Sequence, residues 1–283
     1  MVLGAGLGTR LRPFTDATPK PLLPVHGVPC IEFALISLKE AGVSDVVVNV
    51  HAHAEQMRAY MASLKIPGLL LHESDETEQL LGSAGGFKKA LPLLGGSSFF
   101  SMNADVIHLT SLQALRKRHE ALRREHGVVM TLVLASGECV QEQAGEYREI
   151  FTDEASGLIH GFGEKKNRVP FYTGTAIIEA EAFSGLREGS PAEFVPEVLE
   201  PAIRAGKVGF LFSDSLWIDI GSPELWHKAQ FKLAESMRAG TLPQVFQDRL
   251  LQADPTFGGR FELGKNKIQL DDIEYEIKDI RRS

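Results

Sequence analysis

Along the chain, short apolar runs alternate with stretches in which apolar residues recur every three or four positions. Asp45–Val50 (DVVVNV) and residues 68–71, 98–102 and 127–135 are compact and rich in Val, Leu and Ile, the pattern of buried strands. Residues 31–41 carry apolar positions at helical spacing, open after Pro29 and stop at Gly42. Residues 53–64 and 111–125 predict two further helices. This alternation predicts an α/β fold, a parallel sheet covered by helices on both faces. Ligands of such sheets bind beyond the carboxyl ends of the strands. The first strand would be only Met1-Val2-Leu3, against a usual length of about five residues. Either that strand is short or the chain begins upstream of Met1.

From residue 146 the pattern is more mixed. Strands are expected at 146–151, 158–161, 172–178 and 208–212, and helices at 194–205 and Pro223–Arg238. The last forty residues change character: Phe261, Leu263, Ile268, Leu270, Ile273, Tyr275 and Ile277 mostly alternate with polar residues, and Gly264-Lys265-Asn266 could turn. They predict a small C-terminal β appendage, a hairpin. The chain is therefore divided into an α/β domain at 1–240 and the appendage at 241–283, whose apolar stripe could cover its own sheet or that of a second copy in a homo-oligomer.

Composition narrows the partners. A net charge of −7 over 283 residues argues against a general nucleic-acid binder, so any cationic region is local. Cys30 and Cys139 are too few for a disulfide framework. The amino terminus has no basic segment followed by an apolar run and cleavage site, and no apolar run approaches the roughly 20 residues that span a bilayer. A cytoplasmic protein without a membrane partner is the expectation.

Local chemistry concentrates directly after the first strand, in LGAGLGTRLRPFTDATPKP. This is a poor dinucleotide fingerprint, because the third glycine would fall at Thr9, and no Gly-Lys-Ser/Thr closes a Walker loop. Two glycines alone would make a tight turn. Arg10, Arg12 and Lys20, in a segment stiffened by Pro13, Pro19 and Pro21, point instead to a polyphosphate. Backbone N–H groups can approach it closely while a guanidinium grips bidentately.

Residues 3–29 resemble the signature of the sugar-1-phosphate nucleotidyltransferases, or NDP-sugar pyrophosphorylases. The likeness continues in order through LLGSAGG (80–86), NAD (103–105), GEKK (163–166), YTG (172–174) and WIDIGSP (217–223), covering about residues 1–230. TPKPLLPV, AGVSDVVVN and ALPLLG look like the small bacterial type acting on N-acetylmuramate, mannose or heptose 1-phosphates. The resemblance implies a Rossmann-like mixed, mostly parallel sheet of the nucleotide-diphospho-sugar transferase type. It implies Mg²⁺-dependent attack of a sugar 1-phosphate on the α-phosphorus of UTP or GTP, with pyrophosphate leaving. Because the attacking phosphate is already mostly dianionic near neutral pH, no general base is needed, and catalysis rests on positioning and charge neutralisation.

Site roles follow from the same resemblance. Leu3, Ala5 and Gly6 would lie against the nucleotide, with Gly8, Thr9 and Arg10 around its phosphates. Arg10 would hold the departing pyrophosphate and Lys20 would bridge the two reacting phosphates. Asp105 and Asp219 would bind Mg²⁺, Asp105 counting with Arg10 and Lys20 as catalytic. Gly82, Ser83 and Gly85 would receive base and ribose through the backbone, beside Asn103. Glu146, Glu164, Lys165, Thr173 and Gly174 would contact the sugar phosphate. Lys166 replaces the proline of the usual E-K-P, and the C-terminal appendage lies outside the family core.

Other readings compete. An Asp after a strand is commonly a turn or cap residue, and Glu164-Lys165-Lys166 alone is a solvated charge run. Trp217 and Trp226 suit packing, as do His108 and Cys30, and His51 with His53 lacks a third metal ligand. A catalytically silent relative that senses NDP-sugar is the alternative function; such a relative would be expected to have lost a metal Asp or the P-K-P lysine. A glycosyltransferase would call for D-x-D, where this chain has Asn103.

Overall fold

The computed structural model describes residues 1–137, 147–165, 170–255, 267–270 and 273–276. At its centre is a nine-stranded sheet. Its strands are β1 (Val2–Leu3), β4 (Asp45–Val50), β5 (Leu70–Asp75), β6 (Phe99–Asn103), β8 (Met130–Ala135), β9 (Arg148–Asp153), β10 (Leu158–Lys165), β11 (Phe171–Ile178) and β12 (Val208–Ser213), in the order β5-β4-β1-β6-β11-β8-β12-β10-β9. All run one way except β11 and β10, whose pairings are antiparallel. The sheet is thus mixed and mostly parallel, as expected. Two ribbons stand apart from it: β2 (Pro24–Val25) with β3 (Val28–Pro29), and β7 (Val106–His108) with β13 (Trp217–Asp219).

Side chains on β4 show why a run of valines becomes a central strand. Val46, Val48 and Val50 face one side, packed with Leu35 and Leu38 of α1 (Cys30–Glu40), Met57 of α2 (Ala54–Ser63) and Leu115 of α4 (Leu112–His126). Val47 faces the other, beside Phe87 of α3 (Gly82–Ala90). Each buried side chain of this kind contributes about 1.5–3 kcal/mol, so a strand covered on both faces has no solvent-facing position to make polar. Asn49 is the exception, buried at 3% exposure on the Val47 face. The helix expected at 194–205 is a π-helical turn (Val195–Leu199) that runs directly into α5 (Glu200–Arg204).

A third apolar cluster anchors the glycine-rich loop. Leu11, fully buried, packs with Val25, Val28, Phe33, Ile107, Ile218 and Trp226. Trp226, from α6 (Pro223–Arg238), donates Nε1–H to Pro24 O at 2.8 Å and meets Phe14 edge-on. It is a packing residue, as is the buried Cys30. One leucine thus pins a loop otherwise built from small and charged residues.

The carboxy-terminal segment begins with a helix and continues into a pair of strands. Residues 244–253 form a helix, α7 (Gln244–Ala253), whose Phe246 and Leu250 enter the third cluster and whose Arg249 grips the buried Glu32 through two hydrogen bonds of 2.6 and 2.8 Å. Within 241–283, β14 (Lys267–Leu270) pairs antiparallel with β15 (Ile273–Glu276), in keeping with a hairpin. The turn expected at 264–266 lies outside the described residues. The β5 strand also begins two residues later than predicted and runs further, because its partner β4 continues to Val50.

His108 ties the β7–β13 ribbon to the sheet, its Nε2 lying 2.8 Å from Thr175 Oγ1. Burial pushes its pKa down to about 4. Burial likewise takes His26 to about 4, against the opposing pull of its Gln230 carbonyl and Asp254. Both shifts have one sign: the folded pKa lies below the unfolded value of 6.5, so the stability is intact above that value and is lost as pH falls toward 4. For His108 the expected loss at pH 5 is roughly 2 kcal/mol. Urea midpoints measured from pH 7 to 5 should fall, and His108→Gln should flatten the decline. Parallel slopes for the two proteins would assign the acid sensitivity elsewhere.

Candidate active site

Four of the predicted residues meet at the carboxyl ends of β1 and β6. Asp105 follows β6, and the β7–β13 ribbon sets Asp219 opposite Val106, one residue from Asp105. Ile220 N–H closes the junction on Asp105 O at 3.1 Å. Lys20 opens a 3₁₀ turn (Lys20–Leu22) behind Pro19, and its Nζ is ion-paired with Asp105 Oδ2 and 3.9 Å from Asp219 Oδ1. Arg10 completes the group: a Cβ built on Gly221 would lie 3.2 Å from Arg10 Nη2 and 2.8 Å from Asp219 Oδ2. Residues about two hundred positions apart thus form one charged cluster.

Its electrostatics are unbalanced. Asp219 is 5% exposed and its Oδ1 has no hydrogen-bond partner among the described residues; Lys20 is too far away for one. Burial, then the neighbouring Asp105, hold its carboxyl above the usual range against Lys20, the Tyr147 hydroxyl and Arg10. A carboxylate so placed calls for more positive charge than the protein supplies. The donor set fits a hard divalent cation such as Mg²⁺, which takes one or two carboxylates and fills its remaining positions with water and phosphate oxygens. Among the described residues no group of three or more metal-ligating side chains occurs, and the His51 ring lies on Glu76 O at 2.7 Å. His53 starts α2 with its ring on Thr15 O at 3.1 Å.

The glycine loop lies against this cluster. Leu3 pairs with Asn103 across β1 and β6, Ala5 is buried, and Gly6 is exposed. Gly8 packs on Thr15 and the Lys20 side chain, its carbonyl accepting Thr15 Oγ1–H at 2.8 Å. Thr9 and Arg10 open an exposed 3₁₀ turn (Thr9–Leu11) that Leu11 anchors. On the far side Gly174, at φ 85°, leaves the room Asn103 fills: a Cβ there would be 2.5 Å from Asn103 Nδ2.

The remaining predicted residues do not all join this cluster. Gly82, Ser83 and Gly85 pack against residues 190–194. Gly85 N–H donates to Ala192 O at 3.1 Å, and Ser83 Oγ bonds Glu193 Oε2 at 3.1 Å and accepts Phe194 N–H at 2.9 Å. Gly85 is thus required by close packing, with its N–H already engaged. Thr173 is buried and donates its hydroxyl to Val133 O at 2.9 Å, so its side chain supports the sheet. Lys165 pairs with Arg148 at the end of β10; the side chains of Glu164 and Lys165, and all of Glu146, lie outside the described residues.

Tyr147 joins the cluster although sequence reasoning does not single it out. Its hydroxyl donates to Asp219 Oδ2, and its ring stacks on Phe171 at 4.8 Å and meets Trp217 edge-on at 5.2 Å. Burial and the two aspartates raise its pKa, so it is a neutral hydrogen-bond donor. Its only signal is an aromatic residue at the start of a strand, which packing explains equally well.

The chain matches the nucleotidyl transferase family over residues 1–236. It is 32% identical over 222 residues, 78% of this chain and 92% of the relative, to an N-acetylmuramate alpha-1-phosphate uridylyltransferase of Neisseria meningitidis serogroup B. The corresponding figures for the uridylyltransferase of the same name in Caulobacter vibrioides are 33% over 241 residues, 83% and 97%. HddC from Yersinia pseudotuberculosis, solved with GMP-PN, superposes with a TM-score of 0.66 at 20% identity, covering 82% of this chain and 97% of that one, and shows the fold alone. With residues of three of the family's motifs meeting at one site and relatives aligned over most of their length, the chain belongs to the nucleotidyl transferase family, among its sugar-1-phosphate enzymes.

Proposed function

We propose that the protein transfers a nucleotidyl group from UTP or GTP to a sugar 1-phosphate, N-acetylmuramate or mannose 1-phosphate or a related compound, and releases pyrophosphate. The observation that carries this reading is the meeting of Lys20 and Arg10 with Asp105 and Asp219 beyond β1 and β6. An oxygen of the sugar phosphate forms a bond to the α-phosphorus while the bond from that phosphorus to the β-phosphate bridging oxygen breaks. No proton has to move, since the nucleophile is already anionic. The barrier is repulsion between anions, and preorganised charge lowers it.

Asp105 and Asp219 would hold Mg²⁺, which when bound neutralises phosphate oxygens. Lys20, held by Asp105 before substrate arrives, turns its ammonium to the oxygens of the reacting phosphates, where a compact charge suits a crowded position. Arg10, exposed and outside the carboxylate pair, is placed for the leaving pyrophosphate. Tyr147 fixes the Asp219 carboxylate through one oxygen and leaves the other, without a hydrogen-bond partner among the described residues, on the Lys20 side. Glu146, Glu164, Lys165 and Gly174 are assigned to the sugar side on family likeness.

A pyrophosphate-release assay over UTP, GTP, CTP, ATP and dTTP, each with several sugar 1-phosphates and Mg²⁺, tests the reading. Turnover with at least one pair is expected. Nucleotide binding without turnover on any pair would instead support the silent sensor.

A further inference from the structure

A buried polar relay connects the two glycine segments that flank the site. Gly4 N–H donates to Asn49 Oδ1 at 2.8 Å, Asn49 Nδ2 donates to Glu76 Oε1 at 2.7 Å, and Leu81 N–H donates to Glu76 Oε2 at 3.0 Å. Asn49 is 3% exposed and Glu76 1%. Burying a carboxylate costs several kcal/mol unless it is well partnered, and these partners are N–H donors rather than a cation. The start of α3, just after Leu81, adds a favourable dipole. Gly86 makes room: a Cβ there would fall 2.7 Å from Glu76 Oε1 and 3.0 Å from Asn49 Nδ2.

The two ends of the relay identify its purpose. Gly4 opens the loop that carries Gly6, Gly8 and Arg10, and Leu81 precedes Gly82 and Ser83. These segments come from separate strand ends and no other side-chain pair in this group bridges them among the described residues. We infer that Asn49 and Glu76 are a positioning pair that sets the spacing of the two walls of the nucleotide pocket, and that nucleotide affinity depends on it. This rests on the nucleotidyl-transfer reading. Neither residue touches substrate; each acts through Gly4 or Leu81.

The polarity of the relay makes the inference testable. Both ends present N–H donors, so the pair between them must offer an acceptor to each end and one bond within. Asn49 supplies one donor and one acceptor, and Glu76 supplies two acceptors. Glu76→Gln breaks a link whichever way the amide turns, because one of its ends becomes a donor facing a donor. Asn49→Asp sets two carboxylates against each other. Combined, the two substitutions restore every link with the middle bond reversed: the introduced glutamine donates to the new carboxylate and still accepts from Leu81.

The experiment measures dissociation constants for UTP and GTP by calorimetry, steady-state constants for the nucleotide and sugar phosphate, and melting temperature. Each single variant should weaken nucleotide binding about tenfold, raising KM for the nucleotide while KM for the sugar phosphate stays put and kcat changes less. The double variant should return to within about threefold of the parent. Amide exchange in peptides containing Gly4 and Leu81 should quicken in the singles and recover in the double. If Glu76→Gln fails to fold, Asn49→Asp against the double variant carries the comparison. Unchanged nucleotide binding in the singles, or a double variant as weak as the worse single, overturns the positioning role alone. A parent protein that binds neither nucleotide overturns the transfer reading, and the inference with it.

Discussion

Asp105→Asn should lower kcat by about a thousandfold or more while the fold survives. The substitution keeps the shape of the side chain and removes only its charge, from a group with 28% of its side chain exposed. Neither ribbon pairing nor the bond from Ile220 N–H to the Asp105 carbonyl involves that carboxylate. Melting temperature should therefore move little. Relief of repulsion on Asp219, whose carboxyl Asp105 holds up, works in the stabilising direction and offsets the lost ion pair with Lys20. Steady-state assays across a Mg²⁺ titration decide the matter. A variant with near-parental kcat would remove Asp105 from the catalytic residues and leave Asp219 alone as the cation's anchor.

Lys20→Ala should cost at least about a hundredfold in kcat, and unlike the first variant it should also destabilise the protein. The Lys20 side chain is 10% exposed and stands between two carboxylates. Removing it leaves Asp105 and Asp219 facing each other with Arg10 as the remaining neighbouring cation among the described residues, a loss of about 1–3 kcal/mol. The alanine keeps the Cβ against which Gly8 packs, so the loop itself should hold its course. Lys20→Arg should recover stability better than turnover, because a planar guanidinium cannot occupy the point position of an ammonium between phosphates. Turnover of Lys20→Ala within a few-fold of the parent would mean that Lys20 is an ion-pair residue that holds the aspartates apart and does no more.

Only half of what these two predictions need is local. Lys20, Arg10, Asp105 and Asp219 stand in motifs whose order along the chain is specific, so the residue types are legible in the sequence and family likeness suggests their roles. That Lys20 lies against Asp105 is not legible there, because it depends on the 3₁₀ turn after Pro19 and the ribbon that returns Asp219 to Val106. Motif reasoning also gives no hint of the partners that engage Gly85 and Thr173. Both sit in motifs, yet one is engaged by Ala192 and the other by Val133. A motif marks a place where a residue type is needed, and close packing can need it as much as a ligand does. The helix at Gln244–Ala253 escapes notice for a related reason: the alternating pattern beyond residue 260 draws the whole terminal segment into one β reading.

Most of the longer elements described in the first 240 residues follow from periodicity, since a strand covered on both faces and a helix covered on one each leave a pattern in nearby residues; α3 and the two small ribbons do not. Membership of the family and the identity of the charged residues are also written there, in short contiguous motifs. What only the folded chain decides is which distant groups share a space: Tyr147 on Asp219, Asn49 and Glu76 between Gly4 and Leu81, Arg249 on Glu32. Such partnerships are made by hydrogen bonds and charges between segments far apart in sequence. No local period encodes them, and the cost of burying an unpaired polar group selects them once the backbone has closed.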